Sequence, residues 1–133
     1  MTKRSFRLRR EQGQTMAEFA LVLPLLALLL FGVIQFGLVF HNYVTLTDAV
    51  RAGSRQAAVG RHVSSPEAAA EDRVRQSAAN LDQARLDVEV DVNPDWVPGA
   101  DVTVTGTYPY SISLLGIVVA SGDLTSETTE RVE

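Results

Sequence analysis

The distribution of apolar and polar residues divides the chain at about residue 40. From Phe19 to Phe40, 22 successive residues include no Asp, Glu, Lys or Arg. A helix needs about 20 apolar residues to cross a hydrocarbon core of roughly 30 Å. The pattern therefore predicts a transmembrane helix near the amino terminus.

An apolar stripe continues the helical pattern beyond this run, with the spacing i, i+3, i+4, i+7, i+11. Its members are Leu46, Ala49, Val50, Gly53 and Ala57. We expect the helix to continue to Val59 and to stop at Gly60. From Gln14 it would be roughly 70 Å long at 1.5 Å per residue. This length predicts a stalk that lifts an outer module clear of the membrane.

Two basic residues, Arg51 and Arg55, are four apart on the opposite face of this predicted helix. Such a pair is typical of a solvated helix face. A binding strip is the alternative interpretation.

The outer part begins with a second helical pattern. Ser65 is a suitable helix cap and Pro66 suits the first helical position. The apolar residues that follow at spacings of 4, 4 and 3 are Ala70, Val74, Ala78 and Leu81. These features predict an amphipathic helix from Pro66 to about Asp82.

The pattern then changes to a period of two, which predicts strands with one buried and one solvated face. Leu86 and three valines alternate with acidic residues over 86–92, and Val102, Val104 and Tyr108 alternate with threonines over 102–108. The turn residues at 93–95 and 98–99 separate the two segments, so an antiparallel hairpin is the expected pairing.

The segment LLGIVVA, Leu114 to Ala120, is too short to span a membrane. We interpret it as a buried strand, with an apolar surface patch for a partner protein as the alternative. Leu124 to Glu133 reads as a closing strand. The predicted fold class is therefore α+β: a long transmembrane and stalk helix, followed by one amphipathic helix and an antiparallel sheet of three to four strands.

The charges flanking the apolar run predict its orientation. Residues 1–13 contain five of the twelve basic residues and a single acidic residue, Glu11. Clustered Lys and Arg beside a membrane segment remain cytoplasmic. From Gln14 onward seven basic residues face fifteen acidic ones, a formal net charge of −8. An acidic exterior argues against binding nucleic acid, which favours Lys and Arg.

A cleaved secretory signal is a competing interpretation of the amino terminus. Its apolar region is typically 7–15 residues long and ends in a small-x-small cleavage site. Here the run is longer, and HNYVTLTDAV follows it. An uncleaved membrane helix therefore fits better.

The sequence offers little support for catalysis or for a cofactor. It contains no cysteine, and its two histidines, His41 and His62, lack a nucleophile context. The acidic row Asp87, Glu89 and Asp91 could suggest calcium, which takes six to eight oxygen ligands. Alternate strand residues are about 6.6 Å apart, however, so a solvated strand face is the preferred interpretation. We predict no enzyme activity, metal or cofactor.

Four residues inside the apolar run bear on its local structure and packing. Pro24 lies beyond the first turn, so we expect a kink or local break around 20–23. Gly32 and Gly37 are about 140° apart around a helix and do not form a G-x-x-x-G face. Gln35 could donate a hydrogen bond to another helix, or be a lone polar residue tolerated in lipid.

Glu18 stands at the edge of the apolar run, where a carboxylate is costly unless it is paired or reaches water. On its position alone it fits an interfacial acid near the positive end of a helix dipole. Its neighbours suggest a more specific role.

The residues around Glu18 resemble the class III signal of type IV prepilins and pseudopilins: basic residues, Gly13, the segment QTMA, Glu18 and an apolar run. More narrowly, residues 13–40 followed by DAVRAGSRQAA resemble the TadE family of minor pseudopilins in the tight-adherence (Flp, type IVc) pilus system. The close resemblance covers Gly13 to Ala58. Phe19 departs from the Tyr of the major Flp pilins, which favours a minor pseudopilin.

The resemblance implies a role for each matching residue. Gly13 would precede the bond cut by a prepilin peptidase, and Gln14 would be the new amino terminus. Glu18 would pair with the amino terminus of an adjacent subunit. Other pilins and pseudopilins and the inner-membrane pilus assembly platform would be its partners.

We therefore predict a single-pass plasma (inner) membrane protein with a cytoplasmic leader at 1–13, a transmembrane and stalk helix at 14–59 and an extracytoplasmic module at 60–133. Its function would be assembly, initiation or capping of a tight-adherence pilus, with the pilus or cell surface as a further location. The alternative is a single-pass membrane-anchored binding or sensing domain with no filament role. Cleavage after Gly13 separates the two.

Overall fold

The structure is a computed structural model that describes residues 5–133, with side chains from Gly13 onward. It consists of a long helix, a short 3-10 helix, a second α-helix and three strands. Their bounds are α1 Ser5–Ala58, the 3-10 helix Gly60–His62, α2 Pro66–Ser77, β1 Asp87–Asn93, β2 Asp101–Leu114 and β3 Ile117–Arg131. The predicted α+β class, with a long amino-terminal helix and an antiparallel sheet, is confirmed.

Helix α1 is continuous through Pro24. The expected local break around 20–23 is therefore wrong, while a kink there stays a prediction. Pro24 has no N–H to donate to the carbonyl of Ala20, so the helix loses one hydrogen bond. A break would free further backbone groups in a segment suited to lipid, where no water is available to bind them.

The carboxyl-terminal half of α1 supplies one side of the hydrophobic core. Leu46, Ala49, Val50 and Ala57 are fully buried, which confirms the predicted apolar stripe. They pack with residues of α2 and β2, including Val74 and the fully buried Val102 and Val104. This half of α1 is therefore covered by the sheet and by α2 rather than standing as a bare stalk.

The sheet has the order β1-β2-β3, and both pairs are antiparallel. Val90 pairs with Val104, and Gly106 pairs with Ser126. The predicted hairpin of the first two strands is thus confirmed, with its first strand beginning one residue later than expected. The acidic residues of β1 at 87, 89 and 91 are exposed, as the solvated-face interpretation predicts.

Helix α2 begins at Pro66 as predicted but ends at Ser77 rather than near Asp82. The side chain of Gln83 donates hydrogen bonds to the carbonyls of Ala78 (2.8 Å) and Leu81 (3.1 Å). These bonds satisfy carbonyl groups that a longer helix would have used internally. The chain can therefore turn here while Ala78 and Leu81 stay in the core.

Strands β2 and β3 form a long hairpin whose tip is exposed. We define the hairpin tip as residues 114–120. The expectation of a buried strand at Leu114 to Ala120 is wrong, because Leu115, Ile117 and Val118 are mostly exposed and no other element covers this end of the sheet within the described residues. Alternation of apolar residues was absent here, so the sequence alone did not indicate which face would be covered.

The hairpin runs alongside α1, with β2 antiparallel and β3 parallel to the helix. At one end the backbone N–H of Glu133 donates to the carbonyl of Ala58 at 2.9 Å. In the middle, Gly106 allows the strand to approach the side chains of Val50 and Leu46. At the other end the Gln35 side chain donates to the carbonyl of Ser113 at 3.3 Å. The hairpin therefore extends along α1 into its apolar run.

Candidate processing and assembly segment

The three residues for which the sequence predicts processing or subunit pairing lie within the same two turns of α1. Gly13 is exposed, and a Cβ added to it would meet nothing within 4 Å. Gln14 donates from Nε2 to Oε1 of Glu18 at 3.0 Å, as the i, i+4 spacing on a helix allows. The backbone next to Gly13 is thus open to an approaching protein.

The Glu18 carboxylate is exposed. Its hydrogen bond with Gln14 is exposed, and no element of the described structure covers this part of α1. An exposed hydrogen bond of this kind contributes little free energy and can be exchanged. A positively charged group of a second chain could therefore reach Glu18.

The apolar surface that follows Glu18 is uncovered. Phe19 and Phe40, which bound the run, are both more than half exposed. Within the described residues, the chain has one helix that is long and apolar enough to cross a membrane, residues 13–58. Gly32 is half-buried and Gly37 is exposed, and neither has a neighbour that a Cβ would meet.

Gln35 has a partner within the chain. The sequence left open whether it bonds to another helix or is a lone polar residue. The structure shows a third arrangement, in which its amide donates to the backbone carbonyl of Ser113 in the hairpin. A hydrogen bond to a residue 78 positions away leaves no trace in local sequence patterns.

The histidines and the acidic row lie apart from one another. His41 contacts the amide of Asn80 at 3.3 Å, and His62 accepts a hydrogen bond from Arg61 at 2.9 Å. Among the residues that the structure describes, no group of three or more His, Asp or Glu side chains could hold a metal ion.

The sequence predicted the exposed surface of the hairpin tip only as the alternative to a buried strand, and it did not indicate the turn. In the structure, Leu115 and Gly116 form a two-residue turn with positive φ angles of 52° and 84°. Positive φ at both positions is the signature of a type I′ hairpin turn, but such turns favour Asn-Gly. The dipeptide Leu-Gly therefore does not predict a type I′ turn from sequence.

Comparison with known proteins gives a match to the amino-terminal segment. A family model described as "TadE-like protein" matches residues 13–55, which lie entirely within α1. The predicted resemblance to the TadE-like family is thus confirmed over this segment. The family is structural and associated with Tad pilus systems. No curated protein and no solved structure gives a significant match.

Proposed function

We propose that the protein is a minor pseudopilin that acts in the assembly, initiation or capping of a tight-adherence pilus. The observation that carries this proposal is the coincidence of the TadE-like match with an uncovered apolar helix that starts at the Gly13–Glu18 segment. In this proposal α1 spans the inner membrane once, with residues 1–13 in the cytoplasm. The sheet and α2 lie on the outer side.

Gly13 suits a cleavage position because it weakens the helix locally. Glycine costs about 1 kcal/mol relative to alanine in a helix interior. Its open surroundings leave the bond to Gln14 accessible once the helix unwinds there. A prepilin peptidase cutting this bond would leave the Gln14 amino group as a new positive charge.

That new charge gives Glu18 a partner in an adjacent subunit. A carboxylate and an ammonium each cost several kcal/mol to bury alone, and they offset each other only in good geometry. The pair would therefore fix the axial register of neighbouring helices. Its contacts would be with other pilins and pseudopilins, presented by the membrane assembly platform, so the role is structural rather than enzymatic.

The test is to determine the amino terminus of the protein recovered from its host's membranes, by intact mass and terminal sequencing. We expect the chain to start at Gln14. A Gly13→Val variant should remain uncut, because a branched side chain replaces the residue before the scissile bond. Gly37→Val is the matched control, since Gly37 is also a helical glycine in open space, and it should be cut normally.

A start at Met1 or Thr2 would overturn the proposal if the same cells process a control pilin. The membrane-anchored binding or sensing domain would then be the better interpretation. Cleavage of both glycine variants would likewise remove Gly13 from the processing role.

A further inference from the structure

We propose that the hairpin tip inserts into the outer face of the same lipid bilayer that α1 spans. The partner is the boundary between lipid headgroups and acyl chains, and the tip is a second membrane contact besides the helix. The inference rests on the membrane anchoring in the proposed function but not on the pilus role.

The position of the tip along α1 follows from one hydrogen bond. Gln35, which donates to the Ser113 carbonyl, lies five residues before Phe40, roughly 7.5 Å nearer the middle of the apolar run at 1.5 Å per residue. From Ser113 the strand continues for two residues to the turn, roughly 7 Å at 3.3 Å per residue. If lipid surrounds the apolar run, the tip is at membrane depth.

The tip has the composition that this depth requires. Leu115 is 83% exposed and Ile117 is 70% exposed, and Val118 and Val119 are also more than half exposed. No charged residue occurs from Val102 to Gly122. A patch of this kind is unfavourable in water and favourable at a lipid surface.

The polar loop between α2 and β1 marks where the membrane surface lies. Asn80 in this loop contacts His41 at 3.3 Å and Thr45 at 3.5 Å, just beyond the apolar run. The tip extends past that level toward the middle of α1. The surface of the molecule therefore changes from polar to apolar near Phe40 on the hairpin as well as on the helix.

The turn itself is not optimised for stability in water. Leu115 has φ 52°, a left-handed conformation that costs little for Asn or Gly but strains a leucine. Strained residues persist where function requires them. Here a large apolar side chain occupies the most exposed point of the hairpin, which is what lipid insertion would require.

Backbone hydrogen bonding limits the depth. β1 pairs with β2 only as far as Thr107, so the hairpin beyond it has strand edges not paired by β1. Open strand edges do not occur in the hydrocarbon interior. With Phe40 at the level of the lipid headgroups and Gln35 where the acyl chains begin, the tip would reach roughly 7 Å beyond Gln35, within the depth of about 5–10 Å typical of interfacial segments.

The test uses the full chain in phosphatidylethanolamine and phosphatidylglycerol vesicles, with single tryptophans as reporters. The chain has one tryptophan, Trp96, next to Gly60 and therefore at the end of the fold remote from the tip. In a Trp96→Phe background, Val118→Trp and, separately, Ile117→Trp report on the tip. Phe31→Trp reports on insertion of α1, and the natural Trp96 is the outside control.

We expect both tip reporters to emit at shorter wavelength in the vesicles than in protein that is unfolded in the absence of detergent. We also expect brominated lipids to quench them. Bromine near the headgroup end of the acyl chain should quench more than bromine near the terminal methyl group. Trp96 should respond to neither lipid. Adding Leu115→Asn to the Val118→Trp reporter should reduce lipid quenching while raising the thermal midpoint of the fold.

Three outcomes would overturn the proposal. Quenching of both tip reporters by iodide but not by lipid would place the tip in water. Protection from both quenchers would mean that protein covers it, such as a second copy of the chain. Lack of lipid quenching at Phe31→Trp would remove the membrane anchor itself, whereas a failure at Gln14 cleavage would leave these quenching results intact.

Discussion

Gly53 allows α1 and α2 to approach more closely than a larger residue would permit. A Cβ at this position would overlap Cγ2 of Val74 and lie 3.1 Å from the carbonyl oxygen of Ala70. Both neighbours belong to fully buried residues, which have little room to move. The absence of a side chain is therefore a packing requirement at this helix crossing.

We predict that Gly53→Ala destabilises the fold although alanine is the better helix former. The gain in helix propensity is about 1 kcal/mol, whereas overpacking a tight core costs about 1–3 kcal/mol. Thermal unfolding in detergent micelles, followed by Trp96 fluorescence, measures the change. Gly37→Ala is the control and should lose no stability, because Gly37 has open space around it. A Gly53→Ala protein as stable as the parent would contradict the packing argument.

Arg75 of α2 binds the loop between α2 and β1 and holds it against the helix. Its guanidinium donates to Oε1 of Glu71 from two nitrogens, at 2.9 and 3.1 Å. A third nitrogen donates to the carbonyls of Gln83 (3.3 Å) and Leu86 (3.2 Å). The planar fork lets one side chain satisfy three acceptors in fixed directions.

Replacing Arg75 by lysine should lower the urea midpoint of unfolding. The ammonium keeps the charge but cannot reproduce the fork, so we expect a loss of about 1–2 kcal/mol, most of it from the lost hydrogen bonds rather than from the charge of the half-buried ion pair. Arg73→Lys on the same helix is the matched control, since Arg73 is exposed. Equal midpoints for the two variants would show that the loop contacts contribute nothing measurable.

At the scale of elements, the periodic patterns correctly predicted which face of a helix or strand is buried. The stripe from Leu46 to Ala57 and the alternation around Val90 and Val104 reflect burial on one face, and both were confirmed. The predicted end of α2 was wrong. The side chain of Gln83, which lies outside the helix, donates to the carbonyl of Ala78 that a longer helix would have used. Such bonds depend on tertiary structure and have no period.

The candidate functional residues show the same contrast between features that a local pattern predicts and features that depend on tertiary structure. Gly13 and Glu18 were found from a local motif, and the TadE-like match covers them, although their roles stay predictions. The tip at Leu114 to Ala120 was assigned to the interior because apolar residues usually leave water. An apolar segment can also leave water by entering lipid, and sequence composition does not separate the two destinations.

At the scale of the whole molecule, α1 and the sheet share one hydrophobic core. Leu46 and Val50 of α1 are fully buried in the same cluster as Val102 and Val104 of β2. Burying each such side chain contributes about 1.5–3 kcal/mol. The two from α1 together contribute about 3–6 kcal/mol, a large share of the net stability of a typical domain, about 5–15 kcal/mol.

A chain that begins at Gly60 should therefore fail to fold, although the sequence patterns suggest a module there. A chain that begins at His41 keeps the buried stripe and should fold. Circular dichroism and amide proton dispersion in NMR spectra distinguish the two. A cooperatively folded 60–133 fragment would show that the α1 residues are dispensable.

The lengthwise course of the hairpin along α1 has a mechanical consequence. Hydrogen bonds of an antiparallel ladder are perpendicular to the strands. A pull along the axis of α1 is roughly parallel to β2 and β3, so any load that reaches a strand through the shared core acts on its hydrogen bonds together in shear rather than opening them one at a time. Traction on the helix would thus carry the sheet with it as one piece.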